Sequence, residues 1–494
     1  MILEKTTQTI IIDNSDNYNT TTMSKEQKNR QEVACEFIFN NYVAYKRLRY
    51  DLVAQKVQVR SAHCSENGKD QWQYISNADI NSMVCDCCAE TGVNITSKEI
   101  LTVLNAGEQY IPRVHPLREY VNNVKPFTPD QPDWIDFVAS QVQVRSGAPD
   151  RPSGCRSAQV PVDGRSAAPV DNAMLFSTAS TTSDLQQCDP QCSASETIYS
   201  EQRERSEANA YWRQCFKKWF VAMVASWMKD EVVNHQVLVF IGRQGIFKTT
   251  WLERLIPPEL RNYCCKLANA TSLSKDDRLR IAEFGLINMD ELDAMNTREL
   301  NAMKSVITAT DVNERVAYGY TKERRVRLAS FCASSNRKEF LTDITGNRRW
   351  LPFEVESIQN PFHTILPYDN MYAQALYLIQ NDFNYWFDLE EINTLEEHND
   401  LFRAQDSEEQ LLPILFDIPA EGRGVFMTTA QISEHIVTYG NIKKPMSVSQ
   451  LGMLLGRAGY RAVTRRVGGI KSRGWIVYQR DSEEINSLKR LLKD

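Results

Sequence analysis

Four short stretches of this chain hold residue types that handle phosphate. In LVFIGRQGIFKTTWLERL (238–255) an apolar run feeds into Gly242, Gly245, Lys248 and Thr249. A buried strand, a glycine-bearing loop and a helix start, in that order, are the context of a phosphate-binding loop. Loop amides and the helix start attract anions, the lysine reaches the β and γ phosphates, and the threonine hydroxyl ligates magnesium. The expected lining is Gly242, Arg243, Gln244, Gly245, Ile246, Phe247, Lys248, Thr249 and Thr250. Phe247 stands where a glycine is expected. A side chain is tolerable there if the backbone keeps φ negative and the ring points away from the phosphates. By itself this stretch leaves a working and a decayed site equally open.

Its partners lie downstream. FGLINMDELD (284–293) is an apolar run that ends in Asp290 and Glu291. Asp290 would hold the magnesium through water, and Glu291 would polarise the attacking water. The plainer alternative is an acidic helix start after a strand. VRLASFCASSN (326–336) ends in Asn336, whose amide suits sensing a γ phosphate or positioning water, and TGNRRW (345–350) sets Arg348 beside Arg349 on a loop. An arginine supplied by a neighbouring subunit typically contributes about 10³ to 10⁵ in phosphoryl-transfer rate. Four such elements in this order are hard to obtain by chance, and they call for ATP and Mg2+ as cofactors.

GRQGIFKTT, MDELD, ASSN and TGNRRW together resemble the virulence-associated protein E family of phage and mobile-element proteins, over residues 211–358. The resemblance implies an α/β fold with an AAA+-like P-loop NTPase core similar to superfamily 3 helicases. It implies Lys248 and Thr249 as the Walker A pair, Asp290 and Glu291 as the Walker B pair, Asn336 as the sensor and Arg348 or Arg349 as the arginine finger. Phe247 departs from the general pattern, and an aromatic before the lysine is similar to a Bacteroidetes-type branch. Many relatives carry a primase module; no paired-carboxylate primase motif stands in the first 145 residues, so a primase would be a separate partner.

Superfamily 3 enzymes place a basic hairpin in the ring pore after the second of these motifs. Here NERVAYGYTKERRVRLAS (313–330) carries Arg315, Lys322, Arg324, Arg325 and Arg327 around Tyr318 and Tyr320. Lys322 and Arg324 suit phosphates, and Tyr318 or Tyr320 suits base stacking; the alternative is a solvated hairpin with ordinary cross-strand ion pairs. Near the C-terminus, two capped helical patterns precede YRAVTRRV and GWIVYQ, joined by a basic glycine turn. Helix, helix and hairpin suggest a winged-helix-like domain with Arg465, Arg466, Lys471 and Arg473 on the wing. Many winged helices bind protein instead; residues 443–480 contain no Asp or Glu, which favours DNA.

These elements have to be positioned by domains. Residues 1–25 are expected as a flexible tail and 26–145 as a small α+β domain, with a helix over 26–41, a hairpin turning at Ala54 and Gln55, and helices over 76–91 and 97–105. Within it, His63, Cys64, Cys85, Cys87 and Cys88 match no zinc spacing. Ile80, Met83, Val84, Cys87 and Thr91 recur at helical spacing instead, which favours core cysteine. Residues 146–207 hold a Pro/Ser/Thr/Gln-rich imperfect repeat, read as a disordered linker. Trp212, Phe216, Trp219, Phe220, Met223 and Trp227 then form a helical stripe. The ATPase domain is expected over 208–395, an acidic connector over 396–420 and the winged-helix-like domain over 421–494.

The N-terminus lacks a basic region followed by an apolar run, and the longest apolar run, WFVAMVASWM, is far short of the ~20 residues that span a bilayer. With twelve cysteines and no export signal, the reading is a cytoplasmic chain with reduced thiols and no membrane partner. The functional expectation is an ATP-dependent translocase or helicase acting on single-stranded or forked DNA as a hexameric ring. The alternative is a nucleotide-gated initiator or regulator that binds DNA but hydrolyses weakly and unwinds nothing.

Overall fold

The computed structural model describes residues 25–60, 72–106, 111–145, 190–267, 275–314, 323–341, 347–419, 424–467 and 470–491. They group into two compact units, residues 1–119 and 120–494. In the first, strands Leu48–Asp51 and Lys56–Arg60 pair antiparallel. Asp51 is fully buried and fixes the turn between them by accepting from the amides of Val53 and Ala54. Ser76 and Asp79 form a capping box on helix Asn77–Thr91, and Gly92 ends it at φ 68. Cys87 lies in the core with Ile80 and Met83. His63 and Cys64 fall outside the described residues.

The second unit is built on a six-stranded sheet in the order Val142–Val144, Trp350–Ile358, Val237–Ile241, Ser330–Ser335, Leu286–Met289, Cys264–Leu267. Only the first pair is antiparallel. Parallel strands are covered on both faces, so they read as continuous apolar runs rather than alternating ones; Val237–Ile241 is buried throughout. Helix Pro190–Met228 packs on the sheet through Trp212, Phe216, Trp219, Phe220 and Trp227, all fully buried. The Trp212 ring meets Phe240 at 5.3 Å and Phe353 at 5.0 Å. Trp227 donates to the Gly285 carbonyl, and a Cβ at Gly285 would lie 3.0 Å from the indole.

Three boundaries differ from the sequence expectation. The aromatic helix starts at Pro190, inside the stretch read as linker; once a buried stripe has nucleated a helix, adding polar turns is cheap. Residues 120–145 group with the second unit and not with the N-terminal one. Strand Val142–Val144 joins the edge of the large sheet, and Gln374 ties the preceding helix Trp134–Ala139 by accepting from the Ile135 amide and donating to Asp133. The acidic stretch before 420 also enters a core: Leu412, Leu415 and Phe416 pack with Ile432, Ile436, Leu451, Leu455, Trp475 and Val477.

That C-terminal core is formed by helices Thr429–Gly440 and Val448–Arg457, each with a capping box, and the ribbon Arg461–Val467 with Ile470–Gln479. The first helix runs through Gly440 and ends on Asn441 at φ 49. The ribbon also pairs with Val425–Thr428, where a Cβ on Gly474 would meet the Met427 carbonyl at 2.5 Å. Among the described residues, no helix is long and apolar enough to cross a membrane.

Candidate active site

The phosphate-loop stretch emerges at the carboxyl end of Val237–Ile241, where the chain order reverses: the fourth parallel strand lies on one side and the fifth on the other. Ligands of open α/β sheets bind in the crevice at such a switch point. Gly242 has φ 152, and a Cβ there would lie 2.8 Å from the Val355 carbonyl, so only glycine fits beside the neighbouring strand. Gly245 takes φ 86. Phe247 corrects the sequence-based condition of negative φ: it sits at φ 66, ψ 18, in the left-handed region that the expected glycine would adopt without strain. Its ring turns to Phe362, edge to face at 6.1 Å. Arg243 and Gln244 are exposed; Ile246, Thr249 and Thr250 are half-buried.

Lys248 opens helix Lys248–Glu253. Its ammonium is buried and donates to the carbonyls of Gly242 and Arg243, each at 2.7 Å, and to Asn336 Oδ1 at 3.1 Å. Burial holds Lys248 below the usual lysine value, against the pull of Asp290 and Asp293. Thr249 Oγ1 donates to Asp290 Oδ1 at 3.0 Å, and Ser334 Oγ donates to the same oxygen at 2.5 Å. Burial alone would raise the Asp290 carboxyl; hydrogen bonds from Ser334, Thr249 and Lys266 hold it below its ordinary value instead. A threonine hydroxyl against an ionised carboxylate is a hard oxygen pair suited to Mg2+. Glu291 follows at φ 56 and is exposed. The Asn336 amide N–H donates to Asp293 at 3.4 Å.

Lys248, Thr249, Asp290 and Asn336 therefore meet at one end of the sheet. Three further residues belong to this cluster and carried little sequence signal. Ser334 precedes Asn336 by two positions, on the strand itself. Asp293 lies in the short turn after the acidic strand. Lys266, on the edge strand, reaches Asp290 at 3.3 Å and Glu253 at 3.5 Å. A single lysine in CCKL is indistinguishable from a solvated one until the register sets it opposite Asn288 on the neighbouring strand.

Arg348 and Arg349 lie in the turn Asn347–Arg349, at the opposite end. Trp350, the next residue, pairs with Val237, the first residue of the loop strand. The five residues of that strand, at about 3.3 Å each, put roughly 16 Å between these arginines and their own loop, more than an arginine spans. Asn399 holds the turn by donating to the carbonyls of Asn347 and Trp350. Arg348 is exposed and Arg349 half-buried; both border a cavity of about 300 Å³ with His235, Tyr385 and Trp386. Burial lowers Arg349 and His235, and the neighbouring arginines lower both further.

Of the expected DNA-contacting residues, Tyr318, Tyr320 and Lys322 lie outside the described residues, as does Arg315. The flanking strands Asp311–Glu314 and Glu323–Val326 pair antiparallel. Arg324 is exposed and pairs with Asp311 at 2.7 Å. Arg325 and Arg327 turn inward: Arg325 pairs with Glu283, while Arg327 is fully buried on the carbonyls of Asn234, Val306, Ile307, Ala309 and Ala329. In the C-terminal ribbon Arg465, Arg466, Lys471 and Arg473 are all exposed. The register Arg466↔Lys471 and Thr464↔Arg473 puts Arg466, Lys471 and Arg473 on one face, and Arg465 on the other, over the Phe426 ring at 5.7 Å.

Residues 193–404 match the model of the virulence-associated protein E-like domain. No curated protein matches the chain. Among solved structures, the apo C-terminal region (305–718) of NrS-1 is 10% identical, with 90% of this chain and 99% of that one covered at a TM-score of 0.41. A point mutant of RuvB from Thermotoga maritima is 12% identical, covering 56% and 94% at a TM-score of 0.20. Likenesses of this strength add nothing to the assignment.

Proposed function

We propose that this chain is an ATP-dependent DNA translocase of helicase type, serving replication of a phage or mobile element and working as a ring. The observation that carries the reading is the split site. Lys248, Thr249, Asp290 and Asn336 gather at the carboxyl end of the sheet, while Arg348 and Arg349 sit beyond reach at the other end. A copy stacked edge to edge would bring those arginines to the next copy's phosphates, the arrangement in which an arginine finger acts in trans.

In the bound state the amides of 242–247 would face the phosphates, and Lys248 would leave the Gly242 and Arg243 carbonyls for the β and γ oxygens. Thr249 and Asp290 would hold Mg2+, which supplies charge neutralisation on those phosphates. Glu291 would orient the attacking water and Asn336 would report on the γ phosphate. An AAA+-like core is supported by the strand order, in which Ser330–Ser335 separates the loop strand from the acidic strand. A winged-helix-like domain from about 421 is supported by the two capped helices and the ribbon, whose exposed basic face fits a DNA backbone.

The test is subunit mixing. Lys248→Ala and an Arg348→Ala, Arg349→Ala double variant should each lose DNA-stimulated ATP hydrolysis, and an equimolar mixture should recover a fraction of it. No recovery, with both variants still co-assembling, sinks the split-site reading. Phe247 and the Lys266 contact to Asp290 favour the second reading, a nucleotide-gated DNA-binding initiator with weak turnover. ATP-dependent assembly on a forked duplex without strand displacement decides for it.

A further inference from the structure

Residues 359–367 follow strand Trp350–Ile358, which runs parallel to and beside the loop strand, so this segment emerges at the same end of the sheet as Lys248. It is firmly held. Asn360 Oδ1 accepts from the Phe362 amide at 3.0 Å, and the Thr364 hydroxyl donates to the Asn360 carbonyl. Arg254, the residue capping the phosphate-loop helix, donates to the Thr364 carbonyl at 3.0 Å; Tyr368 donates back to the Arg254 carbonyl at 2.7 Å. Yet this pinned loop leaves Phe362 74% and Ile365 86% exposed. Apolar side chains held rigidly in water contribute nothing to the core, and fixed apolar surface lowers the ordering cost of a ligand.

The shelf is continuous with the phosphate loop, because the Phe362 ring abuts that of Phe247, whose neighbour in sequence is Lys248. A group anchored by its phosphates on 242–249 would carry its base toward this side. We propose that Phe362 is the platform on which the base of the bound nucleotide lies, making the site selective for a nucleoside triphosphate over a bare polyphosphate. The proposal rests on the phosphate-loop reading above. It also gives Phe247 a purpose: its ring braces the platform from below, a contact that glycine would not make.

Calorimetric titration of the full chain with ATP and with inorganic tripolyphosphate, both with Mg2+, tests it. Wild type should bind ATP the more tightly. Phe362→Ala should weaken ATP roughly 5- to 150-fold, the range for losing one base–aromatic stack. Tripolyphosphate binding should stay unchanged, which also reports an intact fold, and Phe362→Trp should keep the preference for ATP. Phe362→Ala with undiminished ATP affinity, or with equal loss of both ligands, overturns the platform. If wild type binds neither ligand, the phosphate-loop reading falls and the platform with it.

Discussion

Replacing Phe247 separates two opposing contributions. At φ 66 and ψ 18 a residue with a Cβ costs about 1–2 kcal/mol that glycine does not. The ring offsets this with an edge-to-face contact to Phe362, worth about 0.5–1.5 kcal/mol beyond burial. Phe247→Gly removes both, and with the unfolded-chain entropy of glycine it should leave stability within about 1 kcal/mol of wild type. Phe247→Ala removes the ring and keeps the strain. Glycine already outranks alanine at an N-cap, and the left-handed φ adds to that preference, so Phe247→Gly should be more stable than Phe247→Ala by about 1 kcal/mol. For a domain of this size that is a midpoint difference of about 2–4 °C. Differential scanning calorimetry of the two variants at one pH and scan rate measures it. An alanine variant that melts level with or above the glycine variant refutes left-handed strain at this position.

Three further outcomes follow from the same geometry. Lys266→Met frees Asp290 from a competing cation, so the Mg2+ concentration that half-saturates magnesium-dependent ADP binding should fall several-fold; an unchanged midpoint would mean that Lys266 does not compete. His235 is held below its ordinary value of 6.5 by burial and by Arg327, Arg349 and Arg348, so below pH 6.5 the unfolded chain takes up a proton that the folded one refuses. Stability should then drop as pH falls through that window, by at most about 1.4 kcal/mol per pH unit; His235→Gln should flatten the melting-midpoint profile there, and a superimposable profile contradicts the assignment. Arg466→Ala should reduce the slope of log K for DNA against log salt by about 0.9, the value for one phosphate contact. Arg465→Ala, on the opposite face of the ribbon, should change that slope less, and equal effects would mean that the two faces are not distinguished.

Much of the site was legible in the chain because its parts are local. A strand running into a loop at 237–248, acids closing the strand at 290, an asparagine closing the strand at 336 and the capping boxes at Ser76, Thr428 and Ser447 each need only a few consecutive residues. Their spacing sets which backbone groups are satisfied, so the sequence determined the elements and most of the residues that gather at the candidate site. Register and distance needed the folded chain. Lys266 and Ser334 meet Asp290 only because parallel strands from separate parts of the sequence stack in one alignment, and Val142–Val144 is a strand only because Trp350–Ile358 offers it an edge. Arg325 and Arg327 look as basic as Arg324 in the sequence, yet the pleat turns Arg324 to solvent while tertiary carbonyls and Glu283 draw the other two inside. The backbone conformation at Phe247 was decided the same way. Chain propensity opposes φ 66 for an aromatic residue, and only the folded chain brings the Phe362 ring against it.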